Sequence, residues 1–251
     1  MPLTLTALPN IPLIQPGDDL AGMILSTLQA AALPLENGDI LVLAQKIISK
    51  AEGRIVQLST ISPSPAALEL AAQSGKDPRL AELILRESNA ILRVRPGSVI
   101  VEHKLGFVCA NAGIDHSNVH GDEEWALLLP ENPDQSAAAI RARLEKAYNA
   151  QIGVLIIDSH GRAWRIGTVG TTIGLSGLPG IVDLRGQTDL SGYTLKITVL
   201  GAADELAAAA SLVMGQAAEG RPVVHVRGFP YPLRDGSLRE LLRPKDQDMF
   251  R

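Results

Sequence analysis

The residues best suited to chemistry gather in four short polar segments. Residues 111–118 read NAGIDHSN and follow the apolar FVCA. They set Asp115 and Asn118 in a tight turn at a strand exit, where a carboxylate is a suitable oxygen ligand for Mg²⁺ or Mn²⁺. An Asx turn or a helix cap accounts for the same residue types. Residues 158–162, DSHGR, follow the most apolar run of the chain. Asp158 and Ser159 offer a carboxylate and a hydroxyl to one or two cations, and a plain βα or hairpin turn uses such residues as well. Mg²⁺ takes few protein oxygens plus phosphate oxygens, so two aspartates from separate loops suffice. His160 has no His or Cys partner at zinc spacing and reads as a turn residue. In residues 49–54, SKAEGR, Lys50 is a point charge suited to phosphate and Arg54 a fork suited to a second oxyanion; a solvated charged turn is the alternative. In residues 214–221, MGQAAEGR, Gly215 and Gly220 admit close backbone approach to a ligand. Gln216 offers an amide oxygen to a cation, and a helix C-cap with a short loop fits the segment equally.

Several familiar chemistries are excluded. No G-x-x-x-x-G-K-[ST] phosphate loop is present. The glycine-rich run 167–180 does not spell G-x-G-x-x-G, so a dinucleotide fold has no support. No G-x-S-x-G elbow occurs. The single cysteine, Cys109, lies in an apolar strand pattern and reads as core rather than nucleophile. It excludes an internal disulfide and fits a reducing cytoplasm. The net charge of −4 argues against a general nucleic-acid binder, though an acidic protein can still hold a local basic site. No charged-then-apolar leader opens the chain and no apolar run is long enough to span a membrane.

The elements that must position these segments are legible as punctuation and period. Strands are expected at 39–44, 98–102, 152–158, 194–200 and 223–226, and helices at 19–32, 66–73, 79–92, 136–147 and 204–214. Asp77 and Pro78 make a helix cap and first turn, and Gly215 stands where a left-handed residue ends a helix. Loops are expected at 63–65, 174–180 and 228–232. Aromatics are only 3%, so the core must come from Ala, Leu, Ile and Val. Strands and helices do not alternate regularly, which favours a mixed α+β fold over a doubly wound one. The 251 residues suffice for one large domain or two small interleaved ones.

Taken in order, the segments resemble the coenzyme F420-0:γ-glutamyl ligase family. The matching pieces are IPLIQPGDDL (11–20), ISKAEGR (48–54), VCANAGIDHSNV (108–119), IIDSHGR (156–162), ADELAAAASLVMG (203–215) and VRG (226–228), which span nearly the whole chain. NAGID-x-SN joined to a later D-[ST]-x-G-R is a specific combination. The resemblance implies an α+β fold with largely antiparallel sheets, unlike Rossmann, P-loop and ATP-grasp proteins, in one ligase domain over 1–251. It implies a GTP-dependent enzyme that joins L-glutamate to the lactyl carboxylate of coenzyme F420-0, with Mg²⁺ or Mn²⁺ at two sites, K⁺, and a cytoplasmic homodimer. Some members carry a further flavin-binding reductase-like domain after the ligase, and the resemblance here covers the ligase alone.

Residue by residue, the resemblance makes Asp115 and Asp158 ligands of the first metal, and Ser159 and Gln216 contributors to the second. Asp115, Asp158 and Lys50 are the implied catalytic set. Lys50 and Asn118 match nucleotide contacts, as do Ile11, Pro12, Leu13 and Ile14. A second nucleotide segment comprises Met214, Gly215, Gln216, Ala217, Ala218, Glu219, Gly220 and Arg221. Gln45 and Lys46 stand where the family often has Ser-Thr. The competing readings are a related ligase with a different amino acid or acceptor, and a non-catalytic nucleotide-binding homologue.

Overall fold

The computed structural model describes residues 2–116 and 124–249. The first half of the chain forms β1 (Thr4–Ala7), α1 (Leu20–Ala30), β2 (Ile40–Ala44), α2 (Gln45–Ala51) and β3 (Ile55–Gln57). It continues with α3 (Pro65–Ser74), α4 (Pro78–Arg86), β4 (Ser88–Arg95), β5 (Ser98–His103) and β6 (Val108–Ala110). The second half forms β7 (Trp125–Leu127), α5 (Pro133–Tyr148), β8 (Gly153–Arg162) and β9 (Arg165–Ser176). It closes with β10 (Val182–Asp183), β11 (Val199–Leu200), α6 (Ala202–Met214) and β12 (Val223–Arg227). The fold is mixed α+β with mostly antiparallel sheets, as the sequence predicts.

A five-stranded sheet, ordered β1-β12-β2-β8-β9, forms the centre. β2 and β8 run parallel, and the other pairs of this sheet are antiparallel. Alternate residues of the two parallel strands feed opposite faces. Leu41, Leu43, Val154 and Ile156 pack with α1 and α5 through Ile24, Leu28 and Leu144. Ile40, Val42, Leu155 and Ile157 pack with α6 through Leu206, Ala207 and Ala210. Both faces are covered, which is why these strands read as unbroken apolar runs. A smaller sheet, β4-β5-β6, packs on α3 and α4 through Leu70, Ile84, Val99, Val101 and Cys109.

The helix caps follow the sequence closely. Ser64, Asp77 and Asn132 each accept a backbone N–H of the following turn, and each is followed by proline. Elsewhere long-range pairing overrides the local pattern. The helix expected over 79–92 stops at Arg86, because 88–95 pairs as β4 with β5, Ile91 opposite Val101. The strand expected over 194–200 shrinks to Val199–Leu200; Ile197 is 88% exposed, so no sheet face awaits this stretch. The expected loop at 174–180 begins only at Gly177, because Gly174 belongs to β9. A Cβ at Gly174 would stand 2.5 Å from Pro133 Cβ, and one at Gly170 would stand 2.4 Å from the Ala207 carbonyl oxygen. These glycines let α5 and α6 sit directly on the strand. DSHGR likewise continues β8, paired with β9 as far as Arg162 opposite Arg165, and is not a turn. Gly215 has φ 78° and ψ 178°, positive but extended rather than left-handed helical.

Candidate active site

The topology brings one set of strand ends together. β1, β2 and β8 all run toward the same edge of the central sheet, and β12 starts there. The chain leaving β1 supplies Ile11, Pro12, Leu13 and Ile14; the chain leaving β2 supplies Gln45, Lys46 and Lys50 of α2. The last paired residues of β2 and β8 are Ala44 and Ile157. Asp158, Ser159, His160 and Gly161 lie beyond that pair. The loop before β12 supplies Met214, Gly215, Gln216 and Ala217, then Glu219, Gly220 and Arg221. Together with Asp115 these residues line a cleft of about 510 Å³, a volume typical of small-molecule sites.

Asp115 reaches the cleft from the smaller sheet. Asn111, Ala112 and Gly113 have φ of 53°, 55° and 64°, three consecutive left-handed residues after β6. Asn and Gly tolerate this conformation and Ala does so at a cost of about 1 kcal/mol. Asn111 Oδ1 accepts the Val99 N–H at 3.0 Å, which ties the bend to β5. A Cβ at Gly113 would meet Leu129 Cδ1 at 2.6 Å. Asp115 is then held by two backbone hydrogen bonds with Leu127, at 3.0 and 2.8 Å. The NAGID spelling is therefore a backbone prescription for delivering one carboxylate.

The polar groups of the cleft are interlocked. Lys46 Nζ pairs with Asp115 Oδ2. His160 Nε2 lies 3.1 Å from Asp158 Oδ2. The Ser159 hydroxyl donates to Gln216 Oε1 at 2.7 Å, and Gln216 Nε2 donates to Ser211 Oγ at 2.8 Å. Gln45 is 2% exposed and its amide oxygen accepts from Ser49 Oγ at 2.8 Å, so its side chain braces α2 while lining the wall. Glu219 Oε2 accepts the Ala217 N–H at 2.8 Å, and that bond holds its carboxyl below the usual range.

The structure thus gathers the sequence-predicted residues, with three differences. Ala218 is absent from the cleft lining. Asn118 lies outside the described residues. Arg54 does not serve a second oxyanion: its guanidinium donates to the Leu129 carbonyl at 2.9 Å, Glu87 at 2.7 Å and Glu131 at 3.1 Å, bracing neighbouring segments. Cys109 is buried, and burial, with the Asp158 carboxylate nearby, pushes its thiol up to about 12, which leaves it inert. Sequence reasoning missed His160 and Ser211 as partners of the expected ligands. A two-residue strand period linking Asp158 to His160 was the available signal for the first; nothing local marks the second.

The donor set fits hard cations. Two carboxylates, a hydroxyl and an amide oxygen face one cleft, and Lys46 already places a positive charge on Asp115. Among the described residues no three His, Cys, Asp or Glu side chains converge as a metal-binding group, so phosphate or water oxygens must complete a shell. Also among the described residues, no helix is long and apolar enough to cross a membrane.

Comparison with known proteins agrees over the whole chain. The profile of the F420-0:Gamma-glutamyl ligase family matches residues 9–228. The coenzyme F420:L-glutamate ligase of Methanothermobacter thermautotrophicus is 49% identical over 253 residues, covering 100% of both chains. The enzyme of the same name from Methanopyrus kandleri is 46% identical over 95% of this chain and 93% of its own. That of Methanocaldococcus jannaschii is 47% identical over 88% of each. With Asp115, Asp158 and Ser159 gathered in one cleft and a match of this extent, the chain belongs to the F420-0:γ-glutamyl ligase family.

Proposed function

We propose that this protein is a GTP-dependent ligase that joins the amine of L-glutamate to the lactyl carboxylate of coenzyme F420-0, releasing GDP and phosphate. The observation that carries this reading is the convergence of Asp115 and Asp158, from two different sheets, on one cleft that Lys46 and Lys50 also line. The names of the relatives supply the substrates, which are assigned here by kinship.

Carboxylate activation proceeds by phosphoryl transfer. An acceptor carboxylate oxygen attacks the terminal phosphorus, the bond to GDP breaks, and an acyl phosphate forms. The glutamate amine then attacks the acyl carbon, loses a proton, and phosphate leaves. Divalent cations, Mg²⁺ or Mn²⁺, held by Asp115 and Asp158 with Ser159 and Gln216, would neutralise charge on the phosphates. Lys50 adds a point charge from α2. The segments 11–14 and 214–221 flank the cleft and bind the nucleotide. No protein nucleophile takes part, so positioning and electrostatics supply the rate. K⁺ as auxiliary cation, a homodimer and a cytoplasmic setting belong to the same reading, with small molecules rather than nucleic acid or membrane as partners.

The test is phosphate release by purified protein given GTP, Mn²⁺, L-glutamate and coenzyme F420-0, with mass analysis of the product. A product heavier by glutamyl units is expected. An adduct with another amino acid would reassign the substrate, and nucleotide binding without phosphate release would remove the catalytic assignment.

A further inference from the structure

His160 lies two residues beyond Asp158 on β8, so both side chains point to one face of the strand. It is 9% exposed, and its Nε2 lies 3.1 Å from Asp158 Oδ2. An ionised carboxylate only accepts, so Nε2 carries the hydrogen and donates. The ring is fixed from behind. Phe107 leans on it at 5.2 Å between centroids, tilted by 49°. Phe107 in turn stacks on His103 at 5.3 Å and 7°. His103 is buried, and its Nδ1 accepts the Leu105 N–H at 3.0 Å. Burial, together with neighbouring Lys104, Arg54 and His160, pushes His103 down to about 4, so the stack carries a neutral imidazole at its base. Phe107 and His103 belong to the β5–β6 hairpin, the same hairpin that runs on into the Asp115 bend.

We propose that His160 is a positioning residue: its Nε2–H holds Oδ2 of Asp158 so that the remaining lone pairs of that carboxylate face the cleft and a divalent cation. The proposal rests on the reading of Asp158 as a metal ligand. His160 touches no reacting atom and acts through Asp158 alone. A carboxylate free to rotate about its Cβ–Cγ bond must be ordered each time a cation binds, whereas one clamped by a braced imidazole is already ordered. The ring column also couples the two carboxylates mechanically, because the hairpin that steadies His160 is the hairpin that delivers Asp115.

The test is direct binding of Mn²⁺ to the full chain in the presence of GDP, read as free Mn²⁺ by electron paramagnetic resonance. His160→Phe keeps a ring against Phe107 and removes the donor; His160→Gln keeps a donor; Asp158→Asn is the reference. His160→Phe is expected to weaken Mn²⁺ binding roughly 10- to 100-fold with an unchanged unfolding midpoint, the range for losing a group that orients a metal ligand. His160→Gln is expected to recover most of that loss. Should His160→Phe not fold, His160→Asn, whose amide is too short to reach Oδ2, takes its place. Wild-type Mn²⁺ affinity in the donor-less variant, or equal losses in the donor-less and Gln variants, overturns the positioning role. Wild-type affinity in Asp158→Asn overturns the ligand reading itself, so the two failures are told apart.

Discussion

Acid should unlock the sheet at the end opposite the cleft, through Asp39. This residue precedes β2 and is 1% exposed. Its carboxylate takes two bonds from Arg227, at 2.9 and 2.7 Å, one from His225 Nε2 at 2.8 Å and one from the Glu36 N–H at 2.8 Å. Burial is the largest single influence and pushes the carboxyl up. The Arg227, His225 and Glu36 donors together outweigh it and hold the carboxyl at about 2, below its ordinary 3.8. Because the folded value lies below the unfolded one, the contribution is complete above about pH 4 and is lost as the pH falls toward 2. A difference of this size is worth roughly 2 kcal/mol at neutral pH, of which about 1 kcal/mol has gone by pH 3. Asp39→Asn should cost about 1–3 kcal/mol at pH 7, since it removes the buried charged acceptor of His225 and of the partly exposed Arg227, which keeps Glu36 as a partner. The stability gap between wild type and variant, from urea unfolding at pH 6 and pH 3, should therefore narrow by about 1 kcal/mol. Other carboxylates titrate in both proteins and cancel in the gap. A gap that stays constant, or widens as the pH falls, refutes the assignment of a buried, charged, donor-saturated Asp39.

Three further perturbations probe the sheet and the cleft. Leu155→Ala empties a fully buried site at the heart of the β8–α6 layer and should cost about 2–5 kcal/mol in chemical denaturation, with nucleotide binding retained where the protein stays folded. Gly170→Ala places a methyl 2.4 Å from the Ala207 carbonyl oxygen, so α6 must lift from β9; a loss of about 1–3 kcal/mol in the same assay is expected. Lys50→Met removes the point charge assigned to the phosphates and should raise the KM for GTP roughly tenfold or more while leaving the KM for L-glutamate unchanged, as steady-state kinetics with each substrate varied will show.

The chemistry of the cleft was more legible in the sequence than its construction. Asp115 and Asp158 stand out because acids follow apolar runs, and the glycine and asparagine of NAGID encode a left-handed bend that any reader of backbone preferences can name. The strand 39–44 and the cap at Asp77 rest on local rules, and the structure keeps them, whereas the helix expected from 136 already starts at Pro133 behind an Asn132 cap. What failed depended on distant partners. DSHGR has turn-like composition, yet residues 165–171 pair with it and keep it extended, which turned His160 from a loop residue into a buried donor. Residues 88–92 continue a helical pattern on paper, but the edge of β5 captures them. Arg54 looked available because its partners Glu87 and Glu131 lie far along the chain.

The placement of the cleft follows from one exception in the central sheet. Antiparallel neighbours send their chain ends to opposite edges, so a wholly antiparallel meander would scatter these motifs between two rims. The parallel pair β2–β8 sends the ends of two unbroken apolar strands to the same rim, the place where open sheets with parallel strands tend to hold ligands. At that rim β2 turns into α2 directly after Ala44, while β8 runs on to Arg162 with β9 as its one strand partner among the described residues. The departure of β2 leaves the β2-side edge of residues 158–161 without a strand partner among the described residues, and it puts Lys46 and Lys50 beside that edge. Asp158, Lys46 and Lys50 therefore share a single origin, a strand that stops early next to one that does not, while Asp115 joins them from the bend after β6. A substitution that prolonged β2 by one ladder pair would close the edge before it touched any of the residues that do chemistry.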